Sequence, residues 1–310
     1  MDPDRDVMRV AVVGVGGVGG LLGALLARNG DDVTFVATER SASALNAHGL
    51  QVNSDRYGSF RISVPAVTRL AGPVDALIVA VKAMQLEAAI ERIPKSVVGD
   101  SILVPLLNGV DHVATLRGIY GAGVIAGTAR VASARTAPGV IEHSSPFMRT
   151  ELALGAPLTD AHRDRAQHLA RRLTAAGVDV ELRDDELSML WGKLNFLCPL
   201  ALLTTRHGIG AGEARTSHRA DLVAVIDEIA RVADALGASV SAEETLAFFD
   251  SVPATMTSSM QHDAAAGRPI ELDAIGCAVL RAGARTGIPT PVTERLVAEI
   301  DLRAAQQQGI

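Results

Sequence analysis

Short runs of consecutive apolar residues alternate with amphipathic or glycine-rich stretches through the first 180 residues. "MRVAVVG" (8–14), "VTFVA" (33–37), "VDALIVAV" (74–81) and "SILVPLLN" (101–108) have too few polar positions for a half-exposed strand. They read as strands buried on both faces. "GVGGVGGLLGALLARNG" (14–30) reads as a glycine-rich turn opening a helix that Asn29-Gly30 closes. A helical segment near 84–93 separates the third run from the fourth. "GLQVNSDRYGSFRISVPAV" (49–67) alternates weakly and predicts extra strands around a polar turn, and "GAGVIAG" (121–127) predicts a short strand. Strand-then-helix alternation of this kind predicts an α/β fold with a doubly wound parallel sheet. "ARVASARTAPGVIEHSS" (129–145) and "TELALGA" (150–156) predict a strand group at the end of that sheet, followed by a helix at about 160–176 and a strand at 178–182. From Asp184 to about Ala305 only helical periodicity remains. The expected division is an α/β domain over 1–183 and an all-helical domain over 184–310.

Composition narrows the function classes. A 310-residue chain that is 48% hydrophobic can bury two cores. The net charge of −6 supplies no basic field, and 3% aromatic residues supply no base-stacking platform, so no nucleic-acid partner is expected. The opening "MDPDRDVMRV" has neither a basic n-region nor an apolar h-region. Cys198 and Cys277 fit no zinc or disulfide spacing. A cytoplasmic location with reduced thiols follows as the expectation. The apolar run at 187–203 is short for a membrane span and contains Lys193, Asn195 and Pro199, so it reads as a buried helix kinked near the proline. The eight histidines form no compact ligand set, and G-x-S-x-G is absent. No metal site and no covalent mechanism are expected.

Gly14-Val15-Gly16-Gly17-Val18-Gly19 matches G-x-G-x-x-G. Alone the pattern is weak; here it follows a predicted strand and opens a helix in a βαβ unit, the context of a Rossmann-type dinucleotide site. Gly14 allows the tight turn, Gly16 lets backbone approach a pyrophosphate, and Gly19 lets helix and strand pack closely. The helix N-terminus at Gly17 and Val18 offers N–H groups to the phosphates. After the second strand, "ATERS" (37–41) holds both an acid and a base. Arg40, helped by Thr38, suits the 2′-phosphate of NADP(H); Glu39 suits the ribose hydroxyls of NAD(H).

Lys193 is the only charge in "LSMLWGKLNFLCPLALL" (187–203). On a helix its neighbours one turn away are Met189, Leu190, Phe196 and Leu197, all apolar. An ammonium on such a face is costly unless something pairs with it. The bland alternative is a snorkelling lysine whose stem lies on apolar surface.

"GVGGVG", "VKAMQ" (81–85), "NG" (108–109), "WGKL" (191–194), "SSMQHD" (258–263) and "GRPIELD" (267–273) together resemble the ketopantoate reductase (2-dehydropantoate 2-reductase) family, in the family's order and across nearly the whole chain. The resemblance implies a Rossmann-type domain followed by a helical domain, an active site in the cleft between them, and NADPH-dependent reduction of a 2-oxo acid. Position by position, it implies that Lys193 is the catalytic lysine and Glu271 the active-site acid. It further implies that Ser259 contacts substrate and that Lys82 and Asn108 line the nicotinamide side, Asn108 also reaching the substrate. The bland alternatives are a helix-starting acid for Glu271, a strand-end lysine for Lys82, an Asn-Gly turn for Asn108 and a surface hydroxyl for Ser259.

Three positions depart from the family pattern. Leu197 and Ala201 stand where the family has substrate-facing asparagines, four and eight residues after the lysine, and Met256 stands where another is common. These departures leave the implied fold and reaction and single out the substrate. The rival readings are a 3-hydroxyacid dehydrogenase, which also pairs a Rossmann domain with a helical domain and a lysine, and an NADP(H)-sensing protein without turnover. A homodimer is compatible with the sequence, which fixes no oligomeric state.

Overall fold

The computed structural model describes residues 7–155 and 158–307. The acidic start (1–6) and Ala156, at the end of the strand expected over 150–156, lie outside them. The chain divides into two compact units, Met1–Leu107 with His112–Glu186, and Asn108–Asp111 with Leu187–Ile310. The element pattern gives no hint that the tetrapeptide after residue 107 packs with the second unit.

Along the first unit, β1 (Arg9–Val13) leads through α1 (Gly17–Arg28) to β2 (Asp32–Val36), and α2 (Glu39–His48) to β3 (Leu50–Ser54), β4 (Phe60–Ile62) and β5 (Ala66–Val67). β6 (Ala76–Val79) is followed by a 3₁₀ turn (Ala83–Gln85), α3 (Leu86–Ile90) and α4 (Lys95–Val98) before β7 (Ile102–Pro105). After α5 (Asp111–Tyr120) come β8 (Gly127–Arg130), β9 (Ser133–Ala137), β10 (Val140–His143), β11 (Arg149–Ala153), α6 (Asp160–Ala175) and β12 (Asp179–Arg183). Five strands form a Rossmann-like sheet in the order β5-β2-β1-β6-β7, every pair parallel. Alternation along β1 explains its unbroken apolar run. Val10 and Val12 face one core with Leu21, Leu25 and Phe35, while Ala11 and Val13 face another with Leu77, Leu103 and Leu116.

Three expectations need correction. The strands predicted at the end of the parallel sheet form two other sheets, β4-β3-β10-β9 and β12-β11-β8. The link to the parallel sheet is short: Val124 bridges Leu103, Ile125 N–H donates to Leu103 O, and Ala153 N–H donates to Ala126 O, both at 2.9 Å. Of the strand expected over 121–127, Gly121–Gly123 is a 3₁₀ turn, Val124 a single bridge residue and Gly127 the start of β8, because Gly121 takes φ +77° and turns the chain. The helix expected near 84–93 is broken into the 3₁₀ turn and α3.

The second unit is all-helical: α7 (Glu186–His207, its first residue in the other unit), α8 (Ala211–Ser217), α9 (Arg219–Ala235), α10 (Ala242–Ser251), α11 (Ser259–Ala265), a π-helical turn (Asp273–Cys277), α12 (Ala278–Thr286) and α13 (Pro291–Gln307). α7 continues through Pro199. It is long and apolar enough to cross a membrane by length and composition, yet 67% of that window is buried inside the protein. Trp191, Leu194, Cys198, Ala201 and Leu202 lie in its core with Ile226, Ile229 and Phe249. Glu228 of α9, 3% exposed, fixes the start of α13. It accepts from the backbone N–H groups of Val292 (2.8 Å) and Thr293 (2.9 Å) and from the Thr293 hydroxyl (2.7 Å). A carboxylate there satisfies orphan donors and meets the positive end of the helix.

Candidate active site

In the first unit the glycines of the β1–α1 turn divide by what the fold demands of them. Gly14 has φ +96°, and a Cβ there would meet Val81 Cγ1 at 2.7 Å and Ala80 O at 2.9 Å. Its N–H donates to Val36 O at 3.0 Å, tying the turn to the end of β2. A Cβ on Gly19 would meet Gly14 O at 2.1 Å, and one on Gly17 would meet Ser133 O at 2.1 Å. Gly16 is different. Its backbone is extended (φ −88°, ψ −168°), and the nearest atom to a Cβ is Ala80 O at 4.0 Å. Internal packing leaves Gly16 free to carry a side chain, whereas a ligand pressed against the backbone would need that space. α1 begins without a side-chain cap and without an acid in its first turn. Its N-terminus at Gly17 and Val18 therefore suits an anion. On both counts the turn fits a dinucleotide pyrophosphate.

At the other end of such a ligand, Thr38 caps α2. Its hydroxyl accepts from Ser41 N–H (3.4 Å) and donates to Ser41 Oγ (3.1 Å). Glu39 and Arg40 are exposed in the first turn of this helix. Two residues absent from the sequence reading border the same region. Ser133 of β9 donates from its hydroxyl to Gly17 O at 3.0 Å, and Arg135 Nη1 donates to Ser41 Oγ at 3.4 Å. Nothing in the local sequence marks them, because Ser133 and Gly17 lie 116 positions apart in the chain. Lys82, half-buried, follows β6 and opens the 3₁₀ turn, its carbonyl accepting from Gln85 N–H at 2.8 Å.

In the second unit Asn108 and Glu271 meet. Asn108 Nδ2 donates to Glu271 Oε2 at 3.1 Å, and Glu271 is only 6% exposed. Gly109, at φ +84°, makes the approach feasible: a Cβ there would lie 2.2 Å from Ala274 O in the π-helical turn. The Asn-Gly turn is thus docked against the segment that carries the acid. Lys193 lies half-buried on α7, followed directly by buried Leu194 and preceded by half-buried Gly192 and buried Trp191. Leu197, one turn on, is partly buried; Ala201 is fully enclosed in the core. Farther along the same face, Thr204 shares a 2.9 Å hydrogen bond with Ser258, both buried. Ser258 caps α11 by accepting from Gln261 N–H at 3.1 Å, and Ser259, the residue expected to contact substrate, is exposed in the first turn. Met256 is partly buried against the helical core, its carbonyl accepting from Ala211 N–H at 2.8 Å. Ser258 opens the "SSMQHD" motif, and Thr204, which no motif marks, lies about three turns along α7 from Lys193. Burial raises the thiol pKa of both Cys198 and Cys277, which suits inert thiols. Among the described residues no group of three or more metal-ligating side chains occurs.

A parallel sheet whose glycine turn fits a dinucleotide, followed by a helical unit carrying Lys193 and Glu271, is the architecture of a two-unit dinucleotide-binding protein. The family model "Ketopantoate reductase PanE/ApbA" matches residues 10–156, and its C-terminal counterpart matches residues 185–304. The chain belongs to the ketopantoate reductase family. Among its relatives, the 2-dehydropantoate 2-reductase of Mycobacterium tuberculosis is 29% identical over 314 residues, covering 97% of this chain and 98% of that one. An uncharacterized oxidoreductase of Bacillus subtilis, YkpB, is 27% identical over 307 residues, covering 97% of this chain and all of the other. Among solved structures, the 2-dehydropantoate 2-reductase of Geobacter metallireducens superposes with a TM-score of 0.85 at 28% identity, covering 96% of this chain and 100% of that one. A D-mandelate dehydrogenase solved with NADH and anilino(oxo)acetate shares the fold, with a TM-score of 0.88 at 22% identity over 96% of this chain and 99% of that one.

Proposed function

We propose that this chain reduces a 2-oxo acid to the 2-hydroxy acid with NADPH in the cytoplasm, with Lys193 as the proton donor. The observation that carries the reading is the buried Glu271 carboxylate held by Asn108, in the helical unit of a ketopantoate reductase family member. The nicotinamide, when bound, supplies the hydride. Gly14, Gly16, Gly17, Val18 and Gly19 hold the pyrophosphate, Thr38 and Arg40 hold the 2′-phosphate, and Lys82 and Asn108 border the nicotinamide. As the ketone gains electrons its oxygen needs a proton, and the Lys193 ammonium donates it from Nζ. Glu271 orients that ammonium, and the amide of Asn108 keeps Glu271 in place. Ser259 holds the substrate carboxylate.

The apolar side chains of Leu197 and Met256 support a substrate other than ketopantoate; Ala201, expected to face the substrate, is enclosed in the core and supplies no hydrogen bond in place of the family's asparagine. None can hydrogen-bond a hydroxyl, and each lost bond to a polar substrate group costs about 1–3 kcal/mol. A 2-oxo acid with a larger apolar side chain is the better fit.

The test follows NADPH absorbance against a panel of 2-oxo acids for the wild type and Lys193→Ala. The expected result is turnover with a branched or aromatic 2-oxo acid and a loss of about 10²–10⁴ in kcat for the variant, with unchanged cofactor affinity. Binding of NADPH without turnover of any 2-oxo acid would replace this reading with that of a sensor. Preference for NADH would make Glu39 the ribose ligand.

A further inference from the structure

We propose that Arg135 of β9 is a second cation on the cofactor's 2′-phosphate and the residue that decides NADPH over NADH. The inference rests on the reading of this unit as an NADP(H) site and adds a specificity residue to it. Ser133 lies against the glycine turn: its carbonyl sits 2.1 Å from where a Gly17 Cβ would be, and its hydroxyl donates to Gly17 O at 3.0 Å. Arg135, two residues on, projects from the same face of the strand. Its guanidinium reaches Ser41 Oγ at 3.4 Å, in the first turn of α2. One strand face thus touches both the turn suited to the pyrophosphate and the helix start suited to the adenosine ribose.

Charge then decides what Arg135 does there. The first turn of α2 contains Glu39 and Arg40, whose charges cancel, and Thr38 and Ser41, which are neutral. Without Arg135 the cations at this helix start are Arg40, offset by Glu39, and Arg92, whose guanidinium is engaged by the carbonyls of Ala37 (2.9 Å) and Thr68 (3.1 Å), and Glu39 favours bare ribose hydroxyls. Arg135 adds an exposed positive charge, and its planar guanidinium supplies paired donors that fit phosphate oxygens. Arg135 is exposed and bonds a serine hydroxyl rather than a carboxylate, so an incoming phosphate has no ion pair to displace at this contact.

The experiment measures dissociation constants of NADPH, NADH, 2′,5′-ADP and 5′-AMP by fluorescence or calorimetry, for the wild type, Arg135→Ala and Arg135→Lys. The alanine variant is expected to weaken NADPH and 2′,5′-ADP about 10- to 100-fold while changing NADH and 5′-AMP less than about 3-fold. Lysine is expected to restore part of the loss, as a point charge without the paired donors. If the wild type prefers NADPH and Arg135→Ala leaves the NADPH-to-NADH ratio unchanged, the inference falls alone. If the wild type prefers NADH, the NADP(H) reading falls and this inference falls with it.

Discussion

Gly16→Ala and Gly19→Ala, two substitutions three residues apart, should fail in different ways. At Gly19 the added Cβ would sit 2.1 Å from Gly14 O, 3.1 Å from Ala80 Cβ and 3.2 Å from Val12 Cγ1. Ordinary non-bonded contacts need about 3.5 Å, so α1 must lift from the turn by more than about 1 Å. The obstacle is backbone that cannot swing aside, which places the cost at the upper end of overpacking, about 3 kcal/mol. In a unit of this size that lowers Tm by about 6–12 °C. At Gly16 the new methyl group meets nothing closer than 4.0 Å, and φ −88°, ψ −168° is open to any residue. Alanine is a poorer N-cap than glycine, by about 0.5–1 kcal/mol. Reduced freedom of the unfolded chain returns about 0.4–1 kcal/mol, so stability is nearly unchanged. NADPH should nevertheless bind about 10- to 100-fold more weakly, because the methyl group holds the pyrophosphate off the backbone N–H groups. Thermal unfolding and a fluorescence titration on each variant separate the two effects. A Gly16→Ala protein that binds NADPH like the wild type would remove the cofactor argument for this turn. One that unfolds at a much lower temperature would show that the fold, and not a ligand, requires glycine there.

Glu228→Ala should destabilise the helical unit by about 3–5 kcal/mol, since it strands two N–H groups and a hydroxyl at the start of α13, although it also relieves the cost of a buried charge; urea unfolding measures it, and a loss under 1 kcal/mol refutes the capping role. In steady-state kinetics, ketopantoate should show a kcat/KM roughly a hundredfold or more below the best branched or aromatic 2-oxo acid; the reverse order would mean that other residues replace the missing asparagines. Acidification should destabilise the chain between about pH 7 and 5, before the carboxylates titrate. His207 stacks on His218 with ring centroids 3.7 Å apart, and burial, then His218 and Arg206, lower its pKa in the fold. The unfolded chain therefore binds more protons there, and stability present above the unfolded value of about 6.5 is lost as pH falls through it. His218→Gln should flatten that part of the Tm profile.

The sequence by itself determined the two-part architecture. Doubly buried strands and amphipathic helices leave different periodicities, and both are local properties of the chain. It also marked Gly14 and Gly19 through their spacing, although the atoms that exclude a side chain at Gly14 belong to the distant Ala80 and Val81, and Lys193, whose isolation on an apolar helix face is visible from its own turn. Only the tertiary structure decided the rest. Whether β9 and β10 extend the parallel sheet or join β3 depends on pairing across about 90 residues, and no alternation pattern encodes a partner. The same long-range pairing brings Ser133 to the glycine turn and Arg135 to α2. Asn108 and Glu271 are 163 positions apart, and each alone reads as a turn asparagine or a helix-starting acid. Their hydrogen bond exists because Gly109, at positive φ, lets backbone close on Ala274, a fit between surfaces that neither segment contains by itself.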